Sequence, residues 1–178
     1  ELGQAEFWVG YVAWQRGELE AAYPSLQKYM SYSEQLAKRS PDNTDYQLEL
    51  SYAHSNLGAL ALALKKPELA LERFQTSASY ASKLLKGDAS NVDLAMNLAD
   101  TQSWIGTTFL ELGNLADAKI AFNAAIATML PFQQKGEDKR ASSYYARLLT
   151  LAADGDISSG DIDSARMQLD KSIALHAY

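Results

Sequence analysis

Residues 54–80 read HSNLGALALALKKPELALERFQTSASY. An apolar run of helical character carries a Leu-Gly pair, Leu57-Gly58. A polar break follows at Lys65-Lys66-Pro67, and residues 70–74 (ALERF) then open a second apolar-periodic run. Such a run, break and run predicts two helices joined by a tight turn. The same order recurs along the chain. Gly10 lies in FWVGYVAW and Gly106 in SWIGTTFL, so the three glycines stand 48 residues apart. A fourth unit places Ala153 at the matching position, 47 residues on. Each anchor is followed by a break: Arg16-Gly17, Lys65-Lys66, Leu112-Gly113 and Ser159-Gly160. After each break comes an alanine (Ala22, Ala70, Ala118, Ala165), and four residues further a large apolar side chain (Leu26, Phe74, Phe122, Leu169).

A glycine inside a helix costs about 1 kcal/mol against alanine. Three at equal phase require a reason, and close approach of two helix backbones supplies one. The alanine after the turn is small for the same purpose, and the large residue four positions on shares its face.

These residues resemble the tetratricopeptide repeat family, whose pattern has an apolar-Gly pair, a Gly turn and then A-x-x-x-F. Ile105-Gly106, Gly113, Ala118 and Phe122 match it best. Val9-Gly10, Gly17, Ala22 and Leu26 follow it in the first unit, as do Leu57-Gly58, Ala70 and Phe74 in the second. The fourth keeps Gly160, Ala165 and Leu169. The resemblance spans nearly the whole chain and implies an all-α fold: an α-solenoid of four helix pairs in a right-handed superhelical array. The period departs from the family's, which is about 34 residues. The extra length amounts to about four helical turns, so elongated helices are expected over 2–16, 18–39, 44–65, 67–86, 91–112, 115–134, 138–157 and 161–176. One repeat domain over 1–178 is expected, with units at about 1–43, 44–90, 91–137 and 138–178. The unit junctions carry N-cap chemistry at Asn43 or Thr44, Ser90 or Asn91, and Asp138. Pro67 suits a first helical turn. Pro24 is expected to kink or delay its helix, and Pro131 to bend or end its own.

The 178 residues are 47% apolar with a net charge of −6. That balance argues against nucleic acid and against an anionic membrane surface, both of which need a basic patch. No apolar stretch of about 18 residues is evident, so no membrane insertion by this segment is expected. Without cysteine there is no disulfide or thiolate site, which suits cytoplasm and periplasm alike. The chain begins at Glu1 and reads as an excerpt of a longer protein.

No reactive grouping stands out. His54 and His176 are far apart, so neither a metal ligand spacing nor a cofactor is expected. His54-Ser55 are neighbours on a helix and point about 100° apart, which favours a packing or surface role. Residues 154–161 (DGDISSGD) have carboxylates at the first and third places of a calcium loop, but the glycine is one place late and Ala165 stands where a bidentate Glu belongs. An acidic turn between helices is the plainer reading. No phosphate-binding glycine motif occurs, so no enzyme is expected.

The family resemblance places a partner groove on the first helix of each unit, at set distances from the anchor. Here these positions hold Phe7, Tyr11 and Trp14; Ser55, Ala59 and Leu62; Ser103, Thr107 and Leu110. Six before the anchor lie Gln4, Tyr52, Asp100 and Arg147. The stripe Phe7, Tyr11, Trp14 reads either as peptide anchors or as packing against the second helix. Trp8 and Trp104 share a repeat position, which favours packing for both. Only Arg147 is basic, which argues against an acidic C-terminal peptide as ligand. The resemblance thus implies a non-catalytic protein–protein interaction scaffold binding a protein or peptide. The long period, with PDN at 41–43, is similar to arrays attached to bacterial signalling and regulatory proteins. Self-association through Ile162, Met167, Ile173 and Leu175 is the alternative, and a small-ligand sensor a third.

Overall fold

The computed structural model describes residues 2–176, the side chain of His176 excepted. Among them are eight α-helices and no strand: α1 (Leu2–Gln15), α2 (Leu19–Arg39), α3 (Thr44–Ala63), α4 (Pro67–Gly87), α5 (Val92–Glu111), α6 (Leu115–Lys135), α7 (Lys139–Ser159) and α8 (Ile162–His176). The expected all-α architecture of helix pairs holds, and α2 to α7 each run 20 or 21 residues. The chain divides into two compact units, Glu1–Lys86 and Gly87–Tyr178, each with two pairs.

The four turns within pairs are alike. Gly17, Lys65, Gly113 and Gly160 have φ of 78°, 58°, 72° and 80°. The N–H after each closes back on a carbonyl five residues earlier: Glu18 on Ala13, Lys66 on Ala61, Asn114 on Phe109, Asp161 on Asp156, all at 2.8–3.0 Å. This is the left-handed cap that satisfies a helix's last carbonyls. Lys65 alone lacks glycine's freedom at this conformation. Between pairs, Asn43 and Asn91 each accept from two backbone N–H groups at 3.0–3.1 Å, and Asp138 accepts from Arg140 N at 2.8 Å.

Two prolines lie inside helices that continue past them. Pro24 does not delay α2, which begins at Leu19 and continues to Arg39. Pro131 sits within α6, which runs on to Lys135. Helices of this length held along one face by packing retain their other hydrogen bonds around a missing one.

In the first unit α1 pairs with α2 and α3 with α4. A Cβ on Gly10 would lie 2.8 Å from Leu26 Cγ, and one on Gly58 2.9 Å from the Phe74 ring. Ala22, Leu26, Leu57 and Leu60 form a buried cluster joining α2 to α3. Ala70 and Phe74 are fully buried.

In the second unit a Cβ on Gly106 would lie 2.7 Å from Phe122 Cε1. The other edge of that ring abuts α7, where a Gly155 Cβ would be 3.0 Å from Cε2. Ala118, Phe122 and Ala152 form the local core, with Leu110 and Ile126 packed on it. Ala153 and Ala165 are buried, Leu169 half-buried. By length and composition α6 is apolar enough to cross a membrane, contrary to the reading that no segment is. Its Ala118, Ala121, Phe122, Ala125 and Met129 are instead buried within the fold.

Candidate interaction surface

On α1 the aromatic stripe divides by depth. Phe7 and Trp14 are half-buried against the Ala22–Leu26–Leu57–Leu60 cluster. Tyr11 stacks on Phe7 at 5.9 Å and stays 39% exposed. Trp8 meets Phe7 edge-on at 5.2 Å and Tyr11 at 5.7 Å. It is 59% exposed, which corrects the expectation that it packs between helices: it lies beside α1's contact with α2, not within it. Phe7 also touches Tyr29 of α2 at 5.4 Å. The inner ring is thus fixed on two sides, and its outer neighbours stand against it.

Gln4, on the same flank as Tyr11, is exposed at the edge of a cavity of about 330 Å³. Tyr29, Tyr32 and Tyr46 line it together with Asp45 and Glu49. The Tyr29 hydroxyl donates to Glu49 Oε2 at 2.7 Å. Burial first, and then the adjoining carboxylate, raise its phenol far above the ordinary value. On α3, Tyr52 is exposed while Ser55, Ala59 and Leu62 are half-buried.

In the second unit Asp100 and Arg147, which share a repeat position, meet at 2.6 Å. The Arg147 guanidinium also covers the Tyr144 ring at 4.7 Å, a favourable cation–π geometry. Burial and then the Asp100 charge push the Tyr144 phenol up. The single basic residue of the groove positions is thereby neutralised. Ser103 is buried and donates to Asp100 O at 2.8 Å. Thr107 is half-buried and donates to Ser103 O at 3.1 Å.

His54 is buried and stacks on Tyr80 at 6.0 Å. Its Nδ1 has no hydrogen-bond partner. Burial, and then the Arg73 charge, lower its pKa to about 4, so the ring is neutral at pH 7. The side chain of His176 lies outside the described residues. Asp154 and Asp156 belong to the last turns of α7 rather than to an acidic loop. Asp154 is exposed while Asp156 is buried, so the two carboxylates face apart. Asp156 pairs with Lys119 Nζ at 2.9 Å, and the same ammonium reaches Asp161 at 2.8 Å. Among the described residues no three His, Asp or Glu converge on a metal position.

Sequence reading missed a second layer, of small residues except at Tyr29. Seven positions before each anchor stand Gly3, Ser51, Ala99 and Ala146. Three after each large residue stand Tyr29, Ser77, Ala125 and Ser172. Ser51 and Ser77 exchange hydroxyl-to-carbonyl hydrogen bonds at 3.2 and 2.8 Å, and Ser172 donates to Ala146 O at 3.0 Å. The 48-residue comparison, carried two turns further from the anchor, would have found it.

No protein-family model matches the sequence, and no curated protein matches it. Solved structures do. The crystal structure of BtubC (BKLC) from P. vanneervenii matches with a TM-score of 0.76 at 12% identity, over 99% of this chain and 63% of that one. The present chain therefore spans under two thirds of that neighbour's length. TPR-like repeats of kinesin light chain type from Podosopora anserina align at TM-score 0.42 and 13% identity, covering 98% of this chain and 94% of that one. MamA aligns at 0.37 and 16%, covering 95% of each. The likeness extends to fold alone. With four like turns and helix pairs closed by a glycine or alanine anchor, the chain has an all-α fold of repeated helix pairs, the fold it shares with the BtubC structure.

Proposed function

We propose that this chain is a non-catalytic protein–protein interaction scaffold that binds a protein or peptide along the flank of α1 and α3. The observation that carries it is the aromatic ridge of α1. Phe7 is packed from behind by Tyr29 and the core, while Tyr11 and Trp8 stand on it exposed. Rings held in place before binding lose little freedom on contact, which is what makes aromatic anchors effective. Gln4 and Tyr52 extend the flank, and Ser55, Ala59 and Leu62 form its floor. In the second unit the corresponding row is Asp100, Ser103, Thr107 and Arg147. The test is selection of peptide binders from a random displayed library, followed by Tyr11→Ser and Trp8→Ser. Loss of about tenfold or more in affinity with unchanged melting supports the ridge. Binders indifferent to both substitutions, or no binders, refute it.

The placement within a bacterial signalling or regulatory protein rests on the 48-residue period and the 41–43 PDN junction. The four units at about 1–43, 44–90, 91–137 and 138–178 are proposed as one functional array, on the strength of their common phase. Self-association is the second reading. Exposure of Ile162 (59%), Met167 (66%) and Ile173 (67%) on α8 favours it.

A further inference from the structure

The repeat phase identifies which residues each face of a helix would meet. On α3, Leu50, Leu57 and Leu60 are at most 4% exposed. Leu57 and Leu60 pack on Leu26 of the preceding helix. On α7 the equivalent Tyr145, Ala152 and Gly155 are buried too, Ala152 and Gly155 against Phe122 of α6. On α1, 48 residues before the α3 set, stand Leu2, Val9 and Val12, exposed by 70%, 59% and 45%. They form an apolar face on the side of α1 that α3 and α7 give to a preceding helix.

The complementary face lies on α8. Met30 of α2 and Ile126 of α6 pack on the cores they share with α3 and α7. Their equivalent on α8 is Ile173, 67% exposed, next to Leu169, the equivalent of Leu26 and Phe122. One charge pair follows the same phase. Lys119 of α6 pairs with Asp161 at the start of α8. The same phase gives Arg166 on α8, its side chain 83% exposed, and Glu18 at the start of α2, also exposed.

We infer that a second copy of this chain docks its α8 on the outer face of α1. Leu169 and Ile173 cover Val9 and Val12, and Arg166 meets Glu18. This rests on the self-association reading above and gives it a direction: the contact is head to tail. Two different faces meet, so the contact passes from copy to copy into a chain or a larger ring.

Analytical ultracentrifugation of the 178-residue chain tests it, with circular dichroism confirming that every variant is folded. The average mass rises from 19.5 kDa past twice that value as concentration increases. Val9→Glu alone and Ile173→Glu alone each return it to the monomer. An equimolar mixture of the two variants forms a pair and nothing larger, because each retains one working face. Glu18→Arg shifts association to higher concentration, and adding Arg166→Glu restores it. A monomer at every concentration overturns both the docking and the self-association reading. Association that survives Ile173→Glu, or a mixture that fails to pair, overturns the docking alone and leaves self-association standing.

Discussion

Gly106→Ala isolates the contact on which helix pairing depends. In an isolated helix the change stabilises by about 1 kcal/mol. Here the new Cβ would lie 2.7 Å from Phe122 Cε1, against 3.4 Å or more for ordinary contact. The ring is 3% exposed and lies against Gly155 of α7 on its other edge. It cannot withdraw without opening α6 from α7. Overpacking of this kind costs about 1–3 kcal/mol and outweighs the propensity gain. At the middle of that range the net loss is about 1 kcal/mol, a fall in melting temperature of about 2–4 °C for a chain of this size. Phe122→Leu alone loses about 1–2 kcal/mol through lost burial and a cavity. Combined, the two substitutions relieve each other, so the double mutant is more stable than the sum of losses by about 1 kcal/mol or more. Thermal and urea denaturation of the four proteins give the cycle. A Gly106→Ala protein that melts higher than wild type, or a strictly additive double mutant, refutes close packing as the reason for the glycine.

Three further outcomes are expected. The folded-state His54 pKa of about 4 lies below its ordinary value of 6.5, so the unfolded chain takes up the proton first; stability is full above pH 6.5 and declines as pH falls toward 4. The loss is at most about 3 kcal/mol, and His54→Phe removes it, as paired urea titrations across that window would show. Lys65→Gly relieves the left-handed backbone at the second turn and raises stability by about 0.5 kcal/mol, read from the urea midpoint. Ser51→Ala and Ser77→Ala each cost under about 1 kcal/mol, because the remaining serine keeps a carbonyl acceptor. Ser77→Leu, forcing volume into the same closed layer, costs about 3 kcal/mol or more by the same assay.

The candidate surface was less legible than the fold. Phe7, Tyr11 and Trp14 stand at one helical spacing, yet Phe7 and Trp14 turn partly inward while Tyr11 stays exposed. Spacing specifies a face; depth depends on which neighbouring helix reaches it. Asp100 and Arg147 could be named as members of one row, but their ion pair arises only when α5 and α7 lie side by side. The 154–161 segment reads as a loop because Asp, Gly and Ser favour turns, yet α7 runs through it to Ser159. The ion pair of the buried Asp156 with the exposed Lys119 lies at that end of the helix.

Helix positions, turn positions and the partner of each anchor glycine were set by the sequence alone, because they rest on local periodicity and on a phase that recurs every 48 residues. Leu26 facing Leu60 and Phe122 facing Gly155 show what was not. The same contact is filled in one unit by two middling side chains and in the other by a large one against none. Packing conserves the total volume of a contact rather than either residue. Only the tertiary structure, which brings the two chain segments together, decides how that volume is shared and which side chains are left facing water.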